Sequence, residues 1–259
     1  MHTIKQYQRH LRLLGSWLDA NGITAELGAI TTQVVARFLV SDAARKTADG
    51  SAKLATTANA LRTSIRCFFA FAELAGYVTR SPGMLVRRAR CGEPPPRALS
   101  DLEVERLLAV AAKGEARDEL LVRLLLGTGL RLGEALALEV GDVDLRRGVI
   151  SVRRAKGDRP RVAYAPAELV PRLAAWVEGR TGKLFPISGR HAQRVIERMA
   201  RDAGVVASAH ALRHSMAMRV YRRTGDIEVV RLALGHASIA TTTRYARCDE
   251  GAVRRAVGA

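Results

Sequence analysis

Hydrophobic residues in the N-terminal third of the chain recur at helical spacing. Tyr7, Leu11, Leu14 and Leu18 stand three or four positions apart and predict an amphipathic helix over residues 3–20. The same spacing predicts three more helices, over residues 31–39, 53–76 and 82–90. This part of the chain is therefore expected to form an all-helical bundle.

A proline-rich segment, residues 91–97 (CGEPPPR), interrupts the helical pattern. Three consecutive prolines cannot continue a helix, and they favour an extended, semi-rigid connector. Ser100 and Glu103 then have the spacing of a capping box, which predicts the start of a new helix. We therefore predict a first domain over residues 1–90, a linker over 91–97 and a second domain over 98–259.

The second domain shows helical periodicity with one exception. Helices are expected near residues 100–112, 116–127, 132–139, 167–178, 190–203, 209–223 and 226–234. Residues 149–164 are instead rich in strand-forming side chains on both sides of a Lys-Gly-Asp turn, which predicts a β-hairpin. The predicted fold class is mostly α (α+β), a helical bundle followed by a mainly helical domain with a small antiparallel sheet.

Basic residues exceed acidic ones in both parts of the chain. The formal net charge is +17, and Lys+Arg outnumber Asp+Glu by 14 to 6 in residues 1–97 and by 28 to 19 in the remainder. An arginine-rich genome would explain the preference for Arg over Lys but not the net excess. Both domains are therefore expected to face a polyanion, with nucleic acid the first candidate and an anionic membrane the second.

The apolar pattern argues against the membrane. The longest apolar stretch, Leu120–Leu126, is interrupted by Arg123 and is far shorter than the roughly 20 residues that span a bilayer. The N-terminal residues form no apolar signal region, and three widely spaced cysteines without a CxxC pair fit a reducing compartment. We therefore expect a cytoplasmic protein without a membrane partner.

The side chains with the most distinctive chemistry lie near the C-terminus. His210, Arg213 and His214 stand at i, i+3 and i+4 of a predicted helix, and His236 and Tyr245 come later in the chain. Arginine offers a fork of donors that matches phosphate oxygens, histidine exchanges protons near neutral pH, and tyrosine can form a covalent intermediate. Together these residues can hold a phosphodiester while a tyrosine oxygen attacks its phosphorus.

Two further candidates lie upstream. Arg131 and Glu134 share a helix face, so that the carboxylate can hold the guanidinium in position, although an ordinary surface ion pair has the same spacing. Lys156 lies at the predicted hairpin turn, and a lysine suits general-acid chemistry because its pKa can fall in a cationic pocket. The arginines around it are equally suited to contact backbone phosphates.

A zinc site is the main alternative for the histidine pair, because His210 and His214 have a metal-ligand spacing. Two neighbours oppose it. Ala211 stands where a zinc protease motif has Glu, and Arg213 would place a cation beside the metal. No GxxxxGK[ST] phosphate loop and no cluster of carboxylates accompany these motifs, so we expect neither ATP nor a metal as cofactor.

At these residues the chain resembles the tyrosine recombinases, also called the phage integrase family. HALRH at residues 210–214, the LGH that ends at His236 and the tyrosine nine positions later are similar to the second conserved box of that family. TGLRLGE, residues 128–134, is similar to the first box, and Lys156 lies where the family carries its catalytic lysine. The resemblance covers residues 98–259 in specific motifs, and residues 1–90 in length and helical pattern alone.

The resemblance implies a function for each domain. Residues 1–90 would be a core DNA-binding domain of the SAM-like type, and residues 98–259 the catalytic domain of a site-specific recombinase that acts through a 3′-phosphotyrosine intermediate. The implied catalytic residues are Arg131, Lys156, His210, Arg213, His236 and Tyr245. Glu134 and His214 are expected to support them.

Double-stranded DNA is the expected partner, held by a homotetramer on two DNA sites, with a monomer or dimer left open for the protein free of DNA. An accessory protein is also left open, and the expected location is bacterial-type and nucleoid-associated. The residues expected to contact DNA are Arg62, Arg66, Arg87, Arg88, Arg153, Arg154 and Arg244, although such charges are equally often the solvated face of a helix. Two other functions stay open at this point. One is a type IB topoisomerase-like nicking-closing enzyme, and the other is a non-catalytic DNA-binding protein of the same fold.

Overall fold

The computed structural model describes residues 2–89, 98–153 and 160–235. The chain divides into two compact units, Met1–Glu93 and Pro94–Ala259. Helices dominate both, and a small antiparallel sheet lies in the second, so the predicted fold class is confirmed. In the described ranges, each helix is too short or too polar to cross a membrane.

The first unit is a helical bundle around an aromatic core. Its described helices are α1 (His2–Ala20), α2 (Thr32–Val40), α3 (Asp42–Arg45) and α4 (Ala55–Leu74). The side-chain oxygen of Thr31 caps α2 by accepting the backbone N–H of Val34. Phe38 and Phe69 are fully buried between the helices, so the apolar faces predicted from the spacing do form the core.

The helix predicted over residues 82–90 was wrong in the part that the structure describes. Residues 82–85 form a turn, and residues 86–89 have no regular structure. Gly83 lies against α4, where an added Cβ would meet the Cα of Arg66 at 3.2 Å. A Pro-Gly turn that packs closely on a helix therefore replaces the expected helix.

The second unit contains the remaining described helices and the sheet. The helices are α5 (Asp101–Ala111), α6 (Ala116–Thr128), α7 (Leu132–Ala135), α8 (Val170–Val177), α9 (Gly189–Asp202), α10 (Ala209–Thr224) and α11 (Ile227–Leu234). The strands are β1 (Val143–Asp144), β2 (Val149–Val152) and β3 (Arg161–Tyr164), paired antiparallel in that order. The predicted hairpin is confirmed by the pairing of β2 with β3, whereas β1 was missed because two residues carry no periodicity.

Helix α7 ends earlier than predicted. Residues 136–139 were expected to continue it, but this segment runs alongside residues 182–184 instead. The carbonyl of Leu138 accepts the backbone N–H of Leu184, and Val140 donates its N–H to the carbonyl of Gly182. Leu138 is buried as a result, so tertiary pairing overrides the local helical preference.

Helix α6 forms the centre of the second unit. It is apolar on almost every face, and Leu121, Leu124 and Leu125 are fully buried. The flanking helices α5, α8, α9 and α10 pack on it. Because α6 leads into the first predicted catalytic motif and α10 carries the second, their packing decides whether the two motifs meet.

Candidate active site

The turn after α6 places Arg131. Gly129 ends α6 in the left-handed conformation (φ +64°), and an added Cβ there would meet the Sδ of Met216 at 2.9 Å. Both the backbone and the space therefore require glycine at this position. Arg131 follows as the N-cap residue of α7, with its side chain 36 % exposed.

Glu134 is a buried carboxylate at the end of that turn, with its side chain 4 % exposed. Its Oε1 accepts Nη1 of Arg131 at 2.7 Å, and its Oε2 accepts the backbone N–H of Arg131 at 2.9 Å. Arg161 of β3 donates its Nη2 to the same Oε2 at 2.8 Å, and Nη1 of Arg213 lies 4.0 Å away. One carboxylate therefore organises three guanidiniums.

This environment keeps Glu134 ionised. Burial by itself raises the pKa of the Glu134 carboxyl, but the backbone N–H of Arg131, the charge of Arg161 and the hydrogen bonds from both side chains together bring the pKa below its ordinary value of 4.5. Three cations against one anion leave a formal excess of two positive charges. Such an excess favours the binding of an anionic group.

Arg213 is held by backbone carbonyls at the ends of two helices. It lies on α10 and is 3 % exposed. Its Nη1 donates to the carbonyl of Gly129, and its Nη2 donates to the carbonyl of Leu234 at 2.8 Å. These carbonyls close α6 and α11, where the helix dipole favours a cation. The guanidinium of Arg213 thus has a defined position.

His210 and His214 occupy adjacent turns of α10. Ser208 caps this helix through its side-chain oxygen, which accepts the backbone N–H of Ala211. The two imidazole rings meet edge to face, with centroids 4.2 Å apart. His210 is exposed, while His214 is buried beneath it. The family resemblance predicts direct action for His210 and support for His214, and this division stays a prediction.

An open cleft of about 450 Å³ brings the predicted residues together. Arg131, His210 and Arg213 line it, with polar side chains of α9 at another wall, Gln193 and Glu197. The structure therefore places the two predicted motifs, about 80 positions apart in the chain, at one surface. The cleft can accept an anion at its arginines and a proton at His210.

The other predicted residues differ in what the structure says of them. Lys156, His236, Tyr245, Arg154 and Arg244 lie outside the described residues. In the first unit, the exposed predicted arginines are Arg66, Arg87 and Arg88, and Arg62 is half-buried. In the second, Arg153 is exposed and forms an ion pair with Asp142.

Arg161 is one of the arginines around Lys156 that the sequence offered as phosphate contacts, but its ion pair with Glu134 was missed, although a signal for it existed. Side chains at i and i+2 of a strand lie on the same face, and Arg161 shares its face with the buried Ala163. An arginine on the inner face of a strand needs an anionic partner. In the first unit, Arg45, Lys46 and Lys53, which the sequence analysis did not single out, border a second cleft together with Arg62.

Comparison with known proteins agrees with the geometry. Residues 97–251 match the phage integrase family, and residues 1–76 match the phage integrase N-terminal SAM-like domain. The chain is 31 % identical to tyrosine recombinase XerA of Thermococcus kodakarensis, over 98 % of this chain and 88 % of that protein.

Solved structures show the same similarity. A crystal structure of XerA recombinase is 28 % identical with a TM-score of 0.58, covering 98 % of this chain and 90 % of that one. The post-cleavage complex of XerH recombinase with its difH substrate has the same fold, with a TM-score of 0.76 at 24 % identity over 98 % of this chain and 78 % of that one. The chain belongs to the phage integrase family, the tyrosine-type site-specific recombinases.

Proposed function

We propose that the protein cuts and rejoins double-stranded DNA through a covalent bond between Tyr245 and a 3′ phosphate. The observation that carries this proposal is the group of guanidiniums around Glu134, at a cleft where His210 is exposed. A phosphodiester matches such a site because its two non-bridging oxygens accept the fork-shaped donors of arginine.

The reaction begins with attack by the phenol oxygen of Tyr245. The new bond joins this oxygen to phosphorus, while the bond from phosphorus to the 5′ oxygen breaks. His210 accepts the phenol proton, and Lys156 donates a proton to the departing 5′ oxygen. His236 hydrogen-bonds a phosphate oxygen, and His214 packs against the ring of His210 and helps to position it. A 5′-hydroxyl of a partner duplex then reverses these steps.

The arginines make this chemistry possible at neutral pH. A phenol has a pKa of about 10 and is a poor nucleophile unless a base or nearby cations stabilise its anion. Arg131 and Arg213 would bind the non-bridging oxygens and offset the charge that grows on the five-coordinate phosphorus. The phosphodiester energy is kept in the protein–DNA bond, so the proposal requires neither ATP nor a metal.

The first unit would bind the duplex, as a core DNA-binding domain over residues 1–90 joined by the linker at 91–97. Its basic cleft is bordered by Arg45, Lys46, Lys53 and Arg62. The ammonium of Lys53 donates to the carbonyls of Ala43 and Ala44, which fixes it at the cleft. Such cations supply affinity for phosphates without reading the base sequence.

Strand exchange between two duplexes needs four active sites, each cutting one strand. We therefore propose a homotetramer on two DNA sites, acting in the cytoplasm at the nucleoid. XerH, which shares the fold, has been crystallised with a palindromic DNA substrate.

The test is a search for the covalent intermediate. The protein is incubated with sheared genomic DNA of its source that carries random nicks, because a nick beside the cut site releases a short fragment and traps the adduct. We expect a protein–DNA complex that survives denaturation. Mass spectrometry of its peptides should locate the attached DNA on Tyr245. Tyr245→Phe should bind DNA and form no adduct.

Two results would overturn the proposal. The absence of any adduct from the unchanged protein would contradict covalent catalysis. Relaxation of an unrelated supercoiled plasmid by a monomer would keep the covalent step but contradict strand exchange between two duplexes, and would indicate the topoisomerase-like alternative instead.

A further inference from the structure

Arg161 connects the carboxylate of the site to the end of α11. Its Nη2 donates to Oε2 of Glu134 at 2.8 Å, and its Nη1 lies 3.4 Å from the carbonyl of Ala233. The side chain is 12 % exposed, and it packs against Gly235 so closely that an added Cβ there would overlap the Cδ of Arg161. Arg161 is thus wedged between a helix terminus and a buried anion.

Charge balance alone does not require this arginine. Glu134 already has an ion pair with Arg131, and Arg213 already binds the α11 terminus through the carbonyl of Leu234. Arg161 adds a second link between the same two parts of the site. Two contacts fix the orientation of Glu134 relative to the end of α11, whereas a single contact would allow one to rotate about the other.

The link lies where the chain leaves α11 toward two predicted catalytic residues. Gly235 closes α11 in the left-handed conformation (φ +64°), and the next residue is His236, nine positions before Tyr245. The direction in which the chain leaves α11 is therefore set next to Arg161.

We propose that Arg161 is a positioning residue for the strand-cleavage step. It orients Glu134, and through it the guanidinium of Arg131, and it holds the α11 terminus that leads into His236 and Tyr245. The inference rests on the proposed function, since it concerns the same phosphate site. Arg161 acts through these groups and has no part in the bond changes.

The first experiment separates positioning from DNA binding. Arg161→Met and Arg161→Lys are compared with Arg172→Met, a partly exposed arginine of α8 that pairs with Glu119. Single-turnover adduct formation and the Kd are measured on the nicked genomic DNA. We expect Arg161→Met to slow adduct formation on the order of 10²-fold, as misplacement of about an ångström does, with little change in Kd.

The lysine variant should recover part of this rate, because one ammonium can reach Glu134 but cannot reproduce the planar fork. Arg172→Met should behave as the unchanged protein. An unaltered rate in Arg161→Met would refute the inference. So would a loss confined to Kd, which would make Arg161 a phosphate contact.

The second experiment reaches the same contact from the other side. Gly235→Ala and Gly225→Ala both place alanine in a left-handed helix-terminating position, at φ +64° and +65°. At Gly225 no atom of the described residues lies within 4 Å of the added Cβ, whereas at Gly235 the Cβ displaces Arg161. The two positions share φ but differ in ψ (0° at Gly225, 42° at Gly235), so the same pair of variants in an Arg161→Ala background is needed to separate the Arg161 contact from the backbone difference.

We expect Gly235→Ala to slow adduct formation at least about tenfold more than Gly225→Ala, and this excess should vanish in an Arg161→Ala background. An excess that persists without Arg161, or one seen only in the melting temperature, would refute positioning. If Arg161→Met fails to fold, the comparison of Gly235→Ala with Gly225→Ala still tests the role of Arg161. If the unchanged protein forms no adduct, the proposed function fails, whereas an active protein indifferent to these variants refutes the role of Arg161 alone.

Discussion

The two units of the molecule use basic side chains in different ways. In the first unit, Lys46 forms an exposed ion pair with Asp42 at 2.8 Å, and Arg62 and Arg45 border the same open cleft. Pairs of this kind are screened by water and salt and contribute little to stability. Their positions along the cleft suit attraction of a polyanion more than alignment of a reacting atom.

In the second unit, the basic side chains of the candidate active site converge on a buried carboxylate. Arg131, Arg161 and Arg213 converge on Glu134, and the carboxylate is nearly inaccessible to solvent. Away from water these interactions are stronger and the guanidiniums cannot reorient freely. We therefore propose that the exposed charges of the first unit supply affinity for DNA, whereas the buried charges of the second unit set the geometry of the site.

The largest expected effect tests the geometric role. Arg213→Lys keeps the charge but loses the donors to the carbonyls of Gly129 and Leu234. We expect adduct formation to fall by about 10²–10³, the usual cost of losing one preorganised donor, with little change in Kd. Single-turnover assays measure both. Full activity in Arg213→Lys would show that a positive charge at this position is enough for adduct formation. The proposed geometric role of the buried arginines would then be contradicted.

Glu134→Gln tests the anion on which the arginines converge. Removing the negative charge leaves the buried guanidiniums of Arg161 and Arg213 without their counter-ion, and breaking a buried pair in this way typically costs about 3 kcal/mol of stability. The free energy of unfolding by urea measures this loss. Glu119→Gln is the control, since Glu119 pairs with Arg123 and Arg172 away from the cleft and is less buried. Equal losses in the two variants would contradict a special role for burial.

The pH dependence of stability provides a milder test of the same carboxylate. The pKa of Glu134 in the folded protein lies below its ordinary value of 4.5, so its stabilising contribution is complete above that value. As the pH falls through the folded pKa, the unfolded state has already bound the proton and the contribution is lost. The stability difference between the unchanged protein and Glu134→Gln should therefore be constant from pH 7 to 5 and shrink below pH 4.5. A difference that grows in acid would reverse the predicted sign.

The smallest effect is expected in the first unit. Arg62→Gln should weaken DNA binding only a few fold and lower the slope of log K against log salt by about one, as the loss of one phosphate contact does. Adduct formation at saturating DNA should stay unchanged, with Arg172→Gln as the control. A loss of rate at saturating DNA would show that Arg62 also aligns the duplex. The proposed difference between the units, binding in the first and alignment in the second, would then be smaller.

Local patterns predicted the elements well where periodicity or capping was strong. The capping box of Ser100 and Glu103 begins α5 as expected, because all its partners lie within one turn. The end of α7 was predicted too late, and a helix was predicted where Gly83 forms a turn. Both errors arose because contacts with backbone distant in the chain decide the local structure. The link from Arg161 to Glu134 was missed for the same reason.

Spacing along the chain was enough to predict the helical bundle and the hairpin, because it encodes which face of an element is apolar. The motifs that carry arginine, histidine and tyrosine are also present in the sequence, but the roles predicted for them came from the resemblance to the phage integrase family. The contact of Glu134 with three guanidiniums, from the N-cap of α7, from β3 and from α10, became visible only in the folded structure. The physical reason is the packing of α10 on α6, which closes a separation of 84 positions between Gly129 and Arg213. No local pattern encodes that contact, since it depends on how two buried surfaces fit.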